Sequence, residues 1–399
     1  MMQGDNVVLL DEVLEKYVDS LKISDSQFEE AKLRYESVGK WLQESSALKN
    51  RNPEIYPQGS FLLGTTIKPS SEEDRYDVDL VCCLNYLKNE ISQNDLREKI
   101  GKELIDYALA KKMKNKPVDR RRCWTIEYED NVHFHMDFLP AIPDQDVIYR
   151  KYLLESGVKE ALIQTSICIT DKTLANYNRI DDDWLKTNPR GYAEWFKTRM
   201  KIIFEKGAKV LLEKRLYASI DAVPAHRIKT PLQKTIQLLK RHRDIVFENN
   251  PKKKPISMII TTLAAHAYQN ESMLINALKR IVDDMDKYIE KDKGRSIVRN
   301  PVRPDEEFTD KWVEDSELEK NFYKWLKKIR EDMQEFLKKT TTKDAVEYLG
   351  TMFGAKTMGK VLESYGYGIN NSAAPAVKSY PEVNINPSKP WSSNGGYGL

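Results

Sequence analysis

Tyr76-Asp77-Val78-Asp79-Leu80-Val81-Cys82-Cys83-Leu84 is an apolar, β-rich run with two acids near its start. It reads as a strand, and side chains two apart on a strand share a face, so Asp77 and Asp79 are presented side by side. Two carboxylates held that close repel each other, and a divalent cation between or beside them is the usual reason to keep both ionised. Just upstream stands Gln58-Gly59-Ser60-Phe61-Leu62-Leu63-Gly64-Thr65. Gly59 permits close backbone approach, and Ser60 offers the hydroxyl and amide donors that a nucleotide's phosphates accept from a tight turn. Taken alone, Gly-Ser is an ordinary turn.

Asp-x-Asp by itself is a weak signal, because Asp144/Asp146, Asp181/Asp183 and Asp284/Asp286 repeat it. Only the first pair opens a strand-like run behind a Gly-Ser. Two divalent ions held about 3.5–4 Å apart need a third carboxylate, and Asp137 is the candidate. Along Val132-His133-Phe134-His135-Met136-Asp137-Phe138, alternation puts Val132, Phe134, Met136 and Phe138 on an apolar face and His133, His135 and Asp137 on the other. If this strand pairs beside the Asp77 strand, three carboxylates come together. The rival reading of that face is a zinc site built from His133, His135 and Asp137, for which no further His or Cys stands nearby to complete a tetrahedral set.

The 399 residues, 40% hydrophobic and 31% charged, are ordinary for a globular protein of two domains. Lys and Arg total 64 against 61 acids, a formal charge of +3 that singles out no partner class. Local basic clusters run from Lys111 to Arg122 and through Lys234, Lys240, Arg241 and Arg243 to Lys254. The first reads most simply as a solvated loop, and the Lys240–Arg243 run as a fan around a helix, mostly on a solvated face. Cys82, Cys83, Cys123 and Cys168 have no CxxC spacing and read as buried small hydrophobes. Neither a leader peptide nor a membrane-length apolar run is visible, and a reducing cytoplasm is expected.

Apolar spacing predicts helices over 7–20, 25–49 and 94–112, strands over 57–66 and 76–85, and a hairpin with arms 122–128 and 132–139 ending at Pro140. Beyond Asp183 the pattern is helical only, over 190–215, 231–248, 256–269, 272–290, 316–339 and 342–353. The class is α+β. The expected division is a mixed sheet flanked by helices over 1–200, a helical lobe over 201–368, and a tail over 369–399, rich in Asn, Ser, Pro and Gly, that is disordered.

Gly59-Ser60, Asp77-x-Asp79 and Asp137 on a later strand together resemble the polymerase-β-like nucleotidyltransferases. The flanking sequence is similar to one branch of them, the bacterial cGAS/DncV-like cyclic-oligonucleotide synthases, related to cyclic GMP-AMP synthase and oligoadenylate synthase. Thr230-Pro231-Leu232-Gln233-Lys234-Thr235-Ile236-Gln237-Leu238-Leu239-Lys240-Arg241-His242-Arg243-Asp244 resembles the family's central helix. Lys254-Pro255-Ile256-Ser257 and Asn300-Pro301-Val302, followed by Asp310-Lys311-Trp312, resemble its later blocks.

The resemblance implies a polymerase-β-like core with the active site in the cleft between it and the helical lobe. There NTPs, ATP among them, would be joined into a cyclic di- or oligonucleotide second messenger with release of pyrophosphate, in bacterial anti-phage signalling. It implies Asp77, Asp79 and Asp137 as catalytic ligands of two Mg²⁺ ions, with Mn²⁺ as an alternative. Gln58, Gly59, Ser60, Lys240 and Ser257 would contact the nucleotide. Nucleic-acid activation and membrane association are not expected. A regulatory or ligase-type protein could engage the C-terminal tail, which ends Gly395-Gly396-Tyr397-Gly398-Leu399. The alternatives are a linear transferase acting on RNA or protein, and a non-catalytic NTP-binding module.

Overall fold

The structure, a computed structural model, describes residues 4–69, 75–128, 134–213 and 228–354. The turn Glu129-Asp130-Asn131, His133 and the C-terminal tail lie outside these residues. Helices α1 (Gly4–Leu21) and α2 (Asp25–Glu44) open the chain. Ser24 starts the second through a reciprocal capping box with Gln27. Next come β1 (Glu54–Pro57), α3 (Gly59–Leu63), β2 (Tyr76–Cys83) and α4 (Gln93–Ala110), the last capped by Ser92. β3 (Val118–Asp119), β4 (Trp124–Glu127) and β5 (Phe134–Pro143) follow, then the short helices α5 (Val147–Glu155) and α6 (Glu160–Ile163). β6 (Ile167–Ile169) and β7 (Leu185–Thr187) complete the sheet.

Its order is β1-β2-β5-β4-β3, with β6 and then β7 continuing from the far end of β5. β2 and β5 run parallel, and every other pair in the sheet is antiparallel. One face packs on α2 and α4: Val78, Leu80, Met136 and Phe138 meet Val38, Leu42, Leu96, Ile100 and Leu104 in a buried core. Strand alternation therefore sends Asp77, Asp79 and Asp137 to the opposite face. Farther along that face Val81, Cys83, Leu139 and Ala141 form a smaller apolar cluster with Ile167 and Ile169.

The remaining elements are α7 (Pro189–Glu213), α8 (Pro231–Val246), α9 (Ser257–Ala267), α10 (Leu274–Asp284), β8 (Glu290–Asp292), β9 (Arg295–Ile297), β10 (Arg299–Asn300), β11 (Arg303–Glu307), α11 (Lys311–Glu314), α12 (Ser316–Phe336) and α13 (Thr342–Phe353). A second core joins Leu10, Leu14 and Tyr17 of α1 to Phe196, Ile236, Leu239, Leu263, Leu278, Trp325 and Leu349. The Tyr17 hydroxyl donates to the Phe353 carbonyl at 2.9 Å, linking the first and last described helices.

Several sequence expectations change. Residues 57–66 hold β1's last residue and the helix α3 rather than a strand, because Gly59 at φ 58° turns the chain out of the sheet and Gly64 ends the helix in the left-handed region. β5 continues through Pro140 to Pro143. Its missing N–H costs no ladder bond there: β4 stops pairing at Phe138 and β6 begins at Ala141. Strands also occur beyond Asp183, where β7 to β11 are two to five residues long and too polar to show alternation. The basic segment is only partly a solvated loop: Lys111, Lys112, Lys114 and Lys116 are exposed, whereas Arg122 bonds the buried Asp171 at 2.8 Å and Asp119 pairs with Arg97.

Candidate active site

Register places the carboxylates. Across the parallel β2–β5 pair Asp77 lies opposite His135 and Asp79 opposite Asp137, and across the antiparallel β4–β5 pair Asp137 lies opposite Thr125. His135 Nε2 stands 2.7 Å from Asp77 Oδ1, and Thr125 Oγ1 donates to Asp137 Oδ1 at 2.5 Å. Among the described residues no hydrogen bond reaches the Asp79 carboxylate, and no three ligating side chains yet form a closed ion site. Burial, and then repulsion from Asp77 and Asp137, push Asp79 up to about 7. Asp137 is also raised, chiefly by burial and against the Thr125 hydrogen bond. For His135, burial pulls down but the Asp77 bond and the surrounding carboxylates outweigh it, so its net shift is upward. This is a pocket of excess negative charge whose middle member has no partner, and its donor set is the hard oxygen set that suits a magnesium-like ion.

The Gly-Ser turn abuts that charge. The Gln58 amide donates to the Asp79 carbonyl at 2.8 Å and ties the start of α3 to β2. A side chain at Gly59 would put its Cβ 2.5 Å from Asp79 Oδ2. Gly59→Ala is therefore expected to displace the carboxylate as well as strain a left-handed backbone, lowering turnover about 10²-fold. Steady-state kinetics at saturating NTP test this, and a wild-type rate would disprove the close approach. Ser60 Oγ lies 3.1 Å from Thr66 Oγ1. The Gln58 side chain is buried, and its Oε1 has no partner in the described structure.

Lys240 Nζ donates to the Thr65 carbonyl at 3.3 Å, so α8 carries its ammonium to the loop behind Ser60. Burial and Arg243 push it down to about 8, opposed by Asp244, Asp79 and Asp77. Ser257, the first residue of α9, is placed one link away: its hydroxyl accepts from Arg243 Nη1 at 2.8 Å. The expectation of a solvated Lys240–Arg243 face is overturned, since all four side chains are buried. Arg241 donates to the Lys68 carbonyl at 2.5 Å, His242 bonds Asp332 and Trp325, and Arg243 braces Ser257 and Asp244. A helix enclosed by neighbouring helices on one side and the segment Leu63–Lys68 on the other has no solvated face to offer along Lys240–Arg243.

The other Asp-x-Asp pairs have ordinary partners. Asp144 meets Arg303 and Asp146 caps α5. Asp181 accepts from the Asp183 amide, Asp284 pairs with Arg280, and Asp286 with Arg330.

Residues 9–154 match the Second Messenger Oligonucleotide or Dinucleotide Synthetase domain. A c-di-GMP synthase of Roseivirga ehrenbergii is 26% identical over 90% of this chain and 88% of its own length. The chain is similar to the cGAS/DncV-like nucleotidyltransferases, and these matches support a cyclic oligonucleotide synthase. The cyclic dinucleotide synthase CdnG of Bradyrhizobium diazoefficiens is likewise 26% identical, over 94% of this chain and 90% of its own. The structure of CdnG in complex with GTP superposes with a TM-score of 0.66 at 22% identity, covering 89% of this chain and 98% of that one, which shows a shared fold.

In this nucleotidyltransferase, reading by sequence singled out Asp77, Asp79, Asp137, Gly59, Ser60 and Lys240, and the fold gathers them around one turn. It missed Thr125, Arg243 and the loop Thr65–Thr66. Thr125 alternates on the same face as the acids, a detectable signal; the loop offers none, because its role depends on which helix lies behind it.

Proposed function

We propose that the chain condenses NTPs, with GTP among them, into a cyclic dinucleotide at the Asp77–Asp79–Asp137 face, as part of anti-phage signalling. Cyclic oligonucleotide synthesis is the activity of this family as represented by its relatives. The observation that carries the site assignment is the register of Asp79 opposite Asp137, with Asp77 on the same face and Gly59 against it. Guanine is suggested by the relatives, one named as a c-di-GMP synthase and one bound to GTP.

Asp77, Asp79 and Asp137 would hold the divalent ions, Mg²⁺ or Mn²⁺. Held there, divalent ions would supply acidification of the attacking ribose hydroxyl and charge neutralisation for the departing pyrophosphate. Gly59 and Ser60 present the turn that receives the triphosphate, with Lys240 behind it as a compensating charge. Ser257, held by Arg243, offers a hydroxyl from the helical lobe to the same phosphates. Asp137, whose affinity for protons is raised, is suited to take the proton of the attacking hydroxyl. The family's linear transferases would use the same machinery, so the product is what distinguishes the readings. The test is incubation with all four NTPs and Mg²⁺, then phosphatase and mass spectrometry. A phosphatase-resistant dinucleotide is expected, and exclusively linear or absent product would refute the proposal.

A carboxyl that titrates near 7 must shed its proton before it can ligate a cation. Apparent Mg²⁺ affinity should therefore tighten as pH rises toward about 7 and level off above it. Calorimetric titration with a non-hydrolysable NTP at several pH values on both sides checks this, and a flat profile would contradict it. Among the described residues no helix is long and apolar enough to cross a membrane.

A further inference from the structure

The segment that follows the Gly-Ser helix is hung from one stripe of α8. Lys229, just before the helix, donates to the Gly64 carbonyl at 2.9 Å, and Gln233 Nε2 donates to the Leu63 carbonyl at 2.9 Å. One turn on, Gln237 Nε2 donates to the Thr66 carbonyl at 2.7 Å, and Lys240 follows on Thr65. Gln233 and Gln237, four apart on α8, lie above one another, and with Lys229 and Lys240 to either side they supply donors to the four consecutive carbonyls of Leu63 to Thr66.

Two details argue that this set of donors serves the site as well as cohesion. Gln237 is 1% exposed, and its Oε1 is buried with no partner in the described structure. An unpaired buried amide oxygen is costly, so an apolar side chain of like size would suit the packing better. The amide cannot be turned around to relieve it, because its oxygen would then face the Thr66 carbonyl. The bond to Thr66 is also one residue-length from the phosphate turn: Thr66 Oγ1 is the partner of Ser60 Oγ. Gln233 works similarly, since its Oε1 accepts from the Thr230 amide at 3.0 Å and closes the capping box of α8 while its Nε2 holds Leu63.

We infer that Gln237, seconded by Gln233, is a positioning residue that sets the Ser60–Thr66 turn for the triphosphate, so that the turn is assembled by the helical lobe before any nucleotide arrives. The inference rests on the reading of that turn as the phosphate site. Neither glutamine touches the reacting atoms, and each acts through a backbone carbonyl.

The experiment is a steady-state comparison of wild type, Gln237→Met and Gln237→Glu, with thermal unfolding of each ion-free protein alongside. Methionine keeps the length and removes the donor. Its KM for NTP is expected to rise about tenfold or more with kcat within about twofold, because ground-state and transition-state binding of the triphosphate weaken together. Glutamate places a second acceptor against Thr66 when ionised and restores a donor when protonated. Its KM should therefore fall toward the wild-type value as pH is lowered, while the methionine variant's KM relative to wild type stays constant. A methionine variant with unchanged KM, or one whose kcat and KM shift only in step with lost thermal stability, would overturn the inference, as would a glutamate variant with no pH-dependent recovery. Ser60→Ala in the same assay separates this outcome from failure of the phosphate-site reading: a raised KM there with an unchanged KM for the methionine variant overturns only the positioning role, whereas an unchanged KM for Ser60→Ala itself overturns the phosphate-site reading.

Discussion

Asp79→Asn is expected to lower cyclic dinucleotide formation by at least about 10³-fold, the scale of losing a principal electrostatic stabiliser of the transition state. The same substitution should leave the fold intact and, without ions, more stable at neutral and alkaline pH. Asp79 lies between Asp77 and Asp137, and its affinity for protons is raised from 3.8 to about 7. Since the folded chain keeps a proton that the unfolded chain has already released, the ion-free wild type loses stability as pH climbs from about 4 to about 7. Asparagine carries no proton to lose and lacks this slope. Thermal unfolding of both proteins across that range, with product assays on the same samples, reads both halves. A variant that is inactive because it is unfolded, or active at the wild-type rate, would remove Asp79 from the centre of the chemistry.

The second large effect concerns stability. Arg303 is fully buried, with Nη1 3.3 Å from Asp144 Oδ2 and its guanidinium 4.2 Å above the Tyr149 ring. Asp144 follows β5 and Arg303 opens β11, so the pair joins the end of the seven-stranded sheet to the strands of the helical half. Arg303→Met should cost about 3–5 kcal/mol, because it strands a buried carboxylate without its counter-charge. Adding Asp144→Leu should return most of that loss, since an apolar pair of similar volume has no charge to desolvate. Denaturant unfolding of the three proteins measures it. If the single variant falls within about 1 kcal/mol of wild type, the pair is no more than a surface-like contact.

What the chain's letters disclosed follows from periodicity. Asp77, Asp79 and Asp137 were legible because a strand repeats every two residues, so an acid that breaks into an apolar alternation must point away from the core. Their convergence needed one further fact, that β2 and β5 are neighbours, and the family resemblance supplied it. α3 was misread because Phe61-Leu62-Leu63 is too short for its period to be told apart. Gly59 and Gly64 at its two ends were the available correction. Burial of Lys240, Arg241, His242 and Arg243 was not legible, because charged side chains on a helix read as solvated unless both of its neighbours are known. Nor were the carbonyl partners of Gln233 and Gln237, since a backbone acceptor leaves no trace in side-chain identity.

Parallel pairing of β2 with β5 obliges the chain to leave one end of the sheet and re-enter at the other, through α4 and the exposed lysines 111, 112, 114 and 116. Of that connection it is β4, past the lysines, whose Thr125 bonds Asp137, while the β2–β5 ladder sets the alignment of the acids. A peptide epitope or fluorophore tag spliced among those lysines should thus report on the enzyme inside living cells without disturbing its output, whereas a single residue inserted within β2 would turn the acids inward and silence it.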